Sequence, residues 1–122
     1  MKGKLFLIHW SASEAAEFAI PLRARGWQVE VEAEDGARAG KRIKENPPHV
    51  VVIYLTRLPS HGRETARYLR SLKATRHLPI VFVDGKEEAV ARVRADVPDA
   101  VFTVTEELET VISKFAKGGG SL

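Results

Sequence analysis

The sequence lacks cysteine, and it lacks any apolar run approaching the roughly 18 residues that a membrane-spanning helix needs. Without thiols the chain cannot form disulfides, thiolate nucleophiles or zinc–sulfur sites. The apolar run near the start, residues 5–8, stops at His9 and is too short for the hydrophobic part of a signal peptide. We therefore expect a soluble cytoplasmic protein with no membrane partner.

A strong charge of one sign is also lacking, since the formal net charge is only +3 over 122 residues. Any electrostatic case for nucleic acid has to come from local clustering rather than from the total. With 44% hydrophobic and 29% charged residues, the composition is that of a globular domain that buries one core.

The sequence does contain a regular alternation of apolar runs of strand length with amphipathic stretches of helix length. Five runs predict strands, at residues 5–8, 28–33, 50–55, 80–83 and 100–104. Such alternation is typical of a parallel sheet covered by helices on both faces. We expect one domain over residues 1–117, followed by a flexible glycine-rich tail over residues 118–122.

Helix signals accompany each strand. Ser11 is expected to cap the first helix and Thr105 the last, which has the clearest amphipathic pattern of the five. Side chains at helical spacing are predicted to face the core. They are Ala15, Phe18, Ala19 and Leu22; Ala37, Gly40 and Ile43; Ala66, Leu69 and Leu72, with Tyr68; Ala89, Val90 and Val93; and Leu108, Val111, Ile112 and Phe115.

This order of units resembles the flavodoxin-like doubly wound α/β fold, a five-stranded parallel sheet of strand order 2-1-3-4-5 with five helices. Four short segments are also similar to response-regulator receiver (CheY-like) domains. They are Glu-Ala-Glu-Asp-Gly at 32–36, Pro-His-Val-Val-Val-Ile at 48–53, Leu58-Pro59 followed by Gly62, and Pro-Ile-Val-Phe-Val at 79–83. The resemblance covers residues 4–116 and implies a functional crevice at the carboxyl ends of the strands.

Receivers have five functional positions at those strand ends: an acidic pair for Mg²⁺, an aspartate phosphoacceptor, a hydroxyl residue and a lysine. The matching positions here are, in that order, His9, Trp10, Tyr54, Asp84 and Val104. A histidine–tryptophan pair offers Mg²⁺ no oxygen ligands, and a phenol cannot form an acyl phosphate. A slip of one residue would place the acceptor on Leu55, which is no carboxylate either. The resemblance is thus to an atypical pseudo-receiver with a degenerate phosphoacceptor pocket.

Two interpretations of that pocket are open. His9, Tyr54 and Asp84 should converge at the crevice, where they could form an acid–base or ligand site. The interpretation we favour is that Tyr54 fills the vacated pocket while His9 and Asp84 hydrogen-bond each other or water. Trp10 is then a packing residue. On this interpretation we expect no catalytic residue, no enzyme activity, no metal site and no cofactor.

Arginines cluster on the third predicted helix, where three of them share one face and could bind an anion. They are Arg63, Arg67 and Arg70. Such stripes are more often solvated helix faces, and apart from Tyr68 no aromatic residue is interleaved to stack bases. Nucleic acid is therefore not an expected partner.

The resemblance implies a phosphorylation-independent signalling module. In receivers the face made by the fourth helix, the fifth strand and the fifth helix commonly binds partners or forms dimers, which here points to residues 86–117. Two other functions are kept as alternatives: a phosphate- or nucleic-acid-binding module using the arginines of the third helix, and a small ligand-binding protein using the strand-end crevice.

Overall fold

The computed structural model describes residues 2–117 and contains a five-stranded, all-parallel sheet of strand order β2-β1-β3-β4-β5. The strands are β1 Gly3–Ile8, β2 Trp27–Glu32, β3 Val50–Tyr54, β4 Ile80–Val83 and β5 Val101–Thr103. The predicted flavodoxin-like order is confirmed. No helix within residues 2–117 is long and apolar enough to cross a membrane. The predicted tail, 118–122, lies outside the described residues.

Five α-helices connect and cover the strands: α1 Ala12–Ala24, α2 Gly36–Glu45, α3 Pro59–Ser71, α4 Glu87–Asp96 and α5 Leu108–Ile112. Buried side chains of α1 and α5 pack on one face of the sheet, and those of α2, α3 and α4 pack on the other. Each strand side chain therefore belongs to one of two apolar layers.

Alternation along β1 shows how the sequence fills both layers. Leu5 and Leu7 pack toward α1 and α5, whereas Phe6 and Ile8 pack toward the opposite helices. All five residues of β3 are buried, since the strand lies between β1 and β4 with helices on both sides. That position explains why β3 is the most continuously apolar run.

The predicted cap of α1 is confirmed. Ser11 has extended backbone angles, and its hydroxyl accepts a hydrogen bond from the backbone N–H of Glu14 at 3.4 Å. A cap that we did not predict begins α2, where the Asp35 carboxylate accepts from the N–H groups of Ala37 and Arg38.

The predicted inner face of α2 is partly wrong. Ala39 and Ile43 are buried, together with Gly40, but Ala37 is exposed. Residues 39 and 43 share a face because they lie four positions apart, and a residue two positions from Ala39 points away from it. Tyr68 is likewise exposed, because its ring lies over Gly40 of the neighbouring helix instead of facing the sheet.

The last predicted helix differs most from expectation. It consists of three short segments: a 3₁₀ helix over Thr105–Glu107, the α-helix α5, and a second 3₁₀ helix over Ser113–Phe115. Thr105 does not cap it, because its hydroxyl instead donates to Asp84 at 2.6 Å. Leu108 and Ile112 are buried as predicted, while Val111 and Phe115 are half-buried.

Candidate functional site

The sheet register brings four of the five predicted pocket positions to one edge. Ile8 pairs with Ile53, Tyr54 with Val83, and Val83 with Thr103. The residues at or just after these strand ends therefore lie side by side at the carboxyl edge of the sheet. They are His9, Tyr54, Asp84 and Val104.

Tyr54 fills the space at the end of β3. It is 1% exposed, and its ring stacks on Phe18 of α1 with centroids 4.8 Å apart and planes 20° apart. The His9 ring lies on it as well, at 4.9 Å between centroids. Burial raises the pKa of the Tyr54 hydroxyl, and the nearby negative charge of Asp84 raises it further. Tyr54 is therefore a neutral phenol within an aromatic cluster.

His9 is 1% exposed, and neither ring nitrogen makes a hydrogen bond within residues 2–117. Its Nε2 atom lies 3.4 Å from Oε2 of Glu14. That carboxylate is already occupied, since it accepts from Nε and a terminal nitrogen of Arg57 at 3.0 and 3.3 Å. Burial lowers the pKa of His9; Glu14 opposes this effect and Arg57 adds to it. His9 is accordingly neutral near pH 7.

Asp84 is turned away from His9. Its φ of +60° lies in the left-handed region, and its two carboxylate oxygens accept from the Thr105 N–H at 3.1 Å and the Thr105 hydroxyl at 2.6 Å. His9 and Asp84 therefore do not hydrogen-bond each other, which was one of the two arrangements expected; the other, hydrogen bonds with water, stays a prediction. Asp84 instead connects the end of β4 to the segment after β5.

Trp10 lies on the other face of the sheet. Because side chains alternate along an extended chain, His9 follows the layer of Leu7, and Trp10 follows that of Ile8. The indole packs edge-on against His61 at 5.5 Å between centroids, and its buried Nε1 has no acceptor within the described chain. Leu55 is buried in this same layer, so Tyr54 is the residue that occupies the pocket.

Val104 lies after β5 and is 45% exposed, so it contributes neither charge nor contact to the Tyr54 cluster. Nearby carboxylates are engaged by other groups, Glu14 by Arg57 and Asp84 by Thr105. Among residues 2–117, no group of three or more metal-binding side chains is placed to hold an ion. The site thus provides aromatic packing and two occupied carboxylates.

Two of the three candidate anion-binding arginines are engaged with aspartates. Arg70 donates to both carboxylate oxygens of Asp99 at 3.1 and 2.8 Å, and to the carbonyl of Leu78 at 2.8 Å. Arg63 lies 3.4 Å from Asp96. Arg67 is exposed on the surface of α3. The three do not form one open site.

Several residues that shape the site were not predicted from the sequence. Phe18 was expected only as a core residue of α1, and no contact of Glu14 with His9 or Arg57 was expected. The Glu14–Arg57 pair joins residues 43 apart in the sequence, and Asp84–Thr105 joins residues 21 apart. The strand-end positions of Asp84 and Thr105 were the one available signal for their contact.

Comparison with solved structures identifies the class of fold. No model of a known protein family matches the sequence, and no curated protein matches it. A chain from Chloroflexus aurantiacus assigned as a response regulator superposes with a TM-score of 0.79 at 19% identity, covering 94% of this chain and 98% of that one. The chemotaxis protein CheY4 of Vibrio cholerae gives 0.77 at 17% identity, with 94% and 99% covered.

A CheY-like response regulator receiver domain from Methylobacillus flagellatus also gives a TM-score of 0.77, at 17% identity and the same coverage of 94% and 99%. Nearly the whole length of these domains is therefore matched in structure, although few of their residues are shared. The described chain has the fold of CheY-like receiver domains, and its strand-end pocket is filled by Tyr54.

Proposed function

We propose that this chain is a phosphorylation-independent, receiver-like signalling module of the cytoplasm, which acts by binding a protein or a second copy of itself rather than by catalysis. The observation that supports this most directly is the burial of Tyr54 at the position that corresponds to the phosphoacceptor. Its ring occupies the space between α1 and the strand ends, in contact with both His9 and Phe18.

Chemistry supports the loss of phosphoryl transfer. An acyl phosphate needs a carboxylate nucleophile, and a buried phenol with a raised pKa is neither ionised nor accessible near neutral pH. His9 and Trp10 point to opposite faces of the sheet, so they cannot together replace an acidic pair for Mg²⁺. Val104 offers no positive charge to a transferred group.

The surface around β5 favours protein binding. Val101 is 37% exposed and Val104 45%, and within residues 2–117 β5 pairs only with β4. An exposed edge strand with apolar side chains can pair with another chain. The opposite edge is covered, because Arg23 and Arg42 donate to the β2 carbonyls of Val29 and Val31 at 2.8 and 3.1 Å. The β5 edge is thus the one that a partner chain could reach, whereas these arginines cover the β2 edge.

The contacts of Phe102 support the proposal that the surface around β5 has one conformation. Its ring stacks on Phe82 of β4 at 5.4 Å between centroids, and the guanidinium of Arg94 lies over it at 4.5 Å. These contacts hold the aromatic side chain of β5 between the sheet and α4. A binding surface of this kind does not depend on a phosphorylation-driven rearrangement.

The experiment compares a Val101→Asp, Val104→Asp double variant with an Ile20→Asp control, in which a more exposed apolar residue on α1 is replaced. Sedimentation velocity measures self-association, and cross-linking with mass spectrometry measures partner capture and maps the contacts. We expect the double variant to weaken association about tenfold or more, because charges replace apolar contacts at the centre of the face. Equal weakening by Ile20→Asp, or contacts mapped away from residues 86–117, would contradict the proposal.

Two alternatives expected from the sequence, a site made by the three arginines of α3 together and a site made by His9 and Asp84, are less well supported. Arg63 and Arg70 lie beside Asp96 and Asp99, which reduces the positive charge that α3 presents to a nucleic acid. His9 and Asp84, the residues expected to form a ligand site in the crevice, make no contact with each other.

A further inference from the structure

A groove lies between α3 and α4, on the face of the sheet opposite to Tyr54. Its larger part is a cavity of about 410 Å³ that includes Arg63, Lys86, Glu88 and Arg92 in its lining. A second cavity, of about 340 Å³, includes Leu55 and Gly85. Both are lined by Pro59, Lys86 and Ala89, so the two cavities form one continuous groove.

Charge is concentrated in one part of this groove. The larger cavity is lined by three cations and one carboxylate, a formal excess of two positive charges. In the smaller cavity the only charged lining residue is Lys86, and the other lining residues there are apolar or small. The groove therefore has a basic end and an apolar end.

The cations at the basic end have unused hydrogen-bonding capacity. Arg63 has a side chain only 24% exposed, and its buried Nε has no acceptor within residues 2–117, although Asp96 lies 3.4 Å away. Within the same residues, Lys86 and Arg92 have no carboxylate within ion-pair distance. A partly desolvated guanidinium with a free N–H is stabilised by an anion that accepts from it.

The shape of the apolar end is maintained by the backbone around Gly85. Gly85 has a φ of +101°, and a Cβ added there would lie 2.7 Å from Cβ of Leu55. The close approach of this glycine to Leu55 leaves space above them for an apolar group between Pro59 and Ala89. Combined, the two ends have the size usual for small-ligand pockets, roughly 300–1,000 Å³.

We propose that this groove is a binding site for a small organic phosphate, a phosphate monoester whose apolar group lies near Leu55 and Ala89 while its phosphate contacts Arg63 and Arg92. With Asp96 beside Arg63 counted, the basic end keeps an excess of one positive charge, which suits an anion, and the single basic end matches a ligand charged at one end. An extended acidic peptide would instead require cations along the whole groove. The groove shares α4 with the 86–117 face and adds a ligand to the function proposed above.

The test uses 2-naphthyl phosphate as the probe, titrated into the full ¹⁵N-labelled chain and followed by NMR. We expect saturable shifts of backbone amides in residues 55–63 and 85–93. Inorganic phosphate, which lacks the apolar group, and 2-naphthol, which lacks the charge, should each bind about tenfold or more weakly than the ester. Equal binding by either one overturns the proposal. The absence of a saturable shift up to about 10 mM ester, which corresponds to a binding free energy weaker than about −3 kcal/mol, overturns it as well.

Variants distinguish binding of the ester in this groove from nonspecific electrostatic attraction to the protein. Arg92→Gln changes an exposed residue of the groove and should raise the Kd of the ester about tenfold, with Arg63→Gln as a second variant. Arg67→Gln removes the same charge from an exposed position of α3 outside the groove lining, and the Kd should stay within about twofold. An equal loss in Arg92→Gln and Arg67→Gln overturns the proposal, as do saturable shifts confined to another surface.

Discussion

His9 illustrates how burial of a single side chain determines its titration. The ring is enclosed by Phe18 and Tyr54 and lacks hydrogen bonds within the described chain, and burial lowers its pKa below 6.5. In the unfolded chain the imidazole binds a proton near its ordinary pKa, whereas in the folded chain it does not. Acid therefore favours the unfolded state as the pH falls below about 6.5.

Replacing His9 by Phe should reduce this pH dependence. Between about pH 7.5 and 5.5 the wild-type free energy of unfolding should decrease, and His9→Phe should show a smaller decrease over the same interval. Urea unfolding at the two pH values measures the difference. His77→Gln, which removes an exposed histidine, is the control and should behave as the wild type. An unchanged pH dependence in His9→Phe would show that the pKa of His9 is the same in the folded and unfolded chains, and would contradict this account.

The fold stabilises the charged form of Glu32, whereas it stabilises the neutral form of His9. The two residues therefore affect stability in different pH ranges. Its buried carboxylate accepts from Arg38 and from the backbone N–H groups of Glu34 and Asp35. The hydrogen bonds with Arg38 are the main cause that lowers its pKa from 4.5 to about 2. This pair fixes the end of β2 to α2, so its stabilisation is complete above about pH 4.5 and decreases as the pH falls toward about 2.

Glu32→Gln should destabilise the protein by about 2 kcal/mol or more at pH 7, since it leaves the Arg38 guanidinium without its closest ionic partner. The deficit relative to wild type should narrow as the pH is lowered from about 4.5 to about 3, where the wild-type carboxylate also begins to lose its contribution. Glu34→Gln, at an exposed neighbouring position, should change stability by about 0.5 kcal/mol or less. A deficit that stays constant with pH would contradict the role assigned to the Glu32 charge.

At this scale the sequence predicted where the pocket residues are, but not all of their contacts. The strand ends place His9, Tyr54 and Asp84 at one edge, because the ends of parallel strands coincide. The direction of Asp84 was not predicted, since it depends on a left-handed backbone angle that the Asp84-Gly85 dipeptide favours but does not by itself require. The opposite directions of His9 and Trp10 follow from strand alternation and could have been predicted.

Among the elements, α5 shows how one side-chain contact changes a helix. Its apolar stripe predicted a helix from residue 105 onward, yet the first turn is 3₁₀ and α5 itself spans Leu108–Ile112. Thr105 makes its hydrogen bonds with Asp84 instead of capping the helix. The contact spans two strands, so local spacing along the chain could not reveal it.

Thr105→Val should separate the start of this segment from β4. We expect a loss of about 1 kcal/mol in the free energy of unfolding and faster hydrogen exchange over residues 105–108, because the Asp84 carboxylate loses the hydroxyl that donates to it. Thr110→Val changes an exposed threonine of α5 and is the matched control. If both variants show the same exchange rates, the Asp84–Thr105 contact does not stabilise this segment.

Strands were predicted better than helix faces, for a physical reason. Each central strand is buried on both sides, so its apolar run is unmistakable and its ends fall within one or two residues of the prediction. A helix face depends on what the neighbouring helix contributes. Tyr68 packs over Gly40, which removes it from the predicted core face and could not be inferred from α3 alone.

At the scale of the whole molecule, the fold and the chemistry of the strand-end pocket depend on different residues. The two-layer architecture and strand order match receiver domains that share fewer than a fifth of their residues with this chain. Apolar periodicity is sufficient to specify such a fold, whereas function depends on a few side chains at its strand ends. In this chain those positions hold an aromatic cluster in place of an acidic pocket.

The central claim is that the strand-end pocket cannot accept a phosphoryl group, and a titration of the full ¹⁵N-labelled chain with beryllofluoride and Mg²⁺ tests it most directly. Beryllofluoride stands in for a phosphoryl group on an aspartate, so an ordinary receiver domain serves as the positive control. We predict no saturable shift at the amides of His9, Tyr54, Asp84 or Val104, since Tyr54 fills the pocket and offers no carboxylate. Saturable shifts at these amides that require both Mg²⁺ and beryllofluoride would contradict the account.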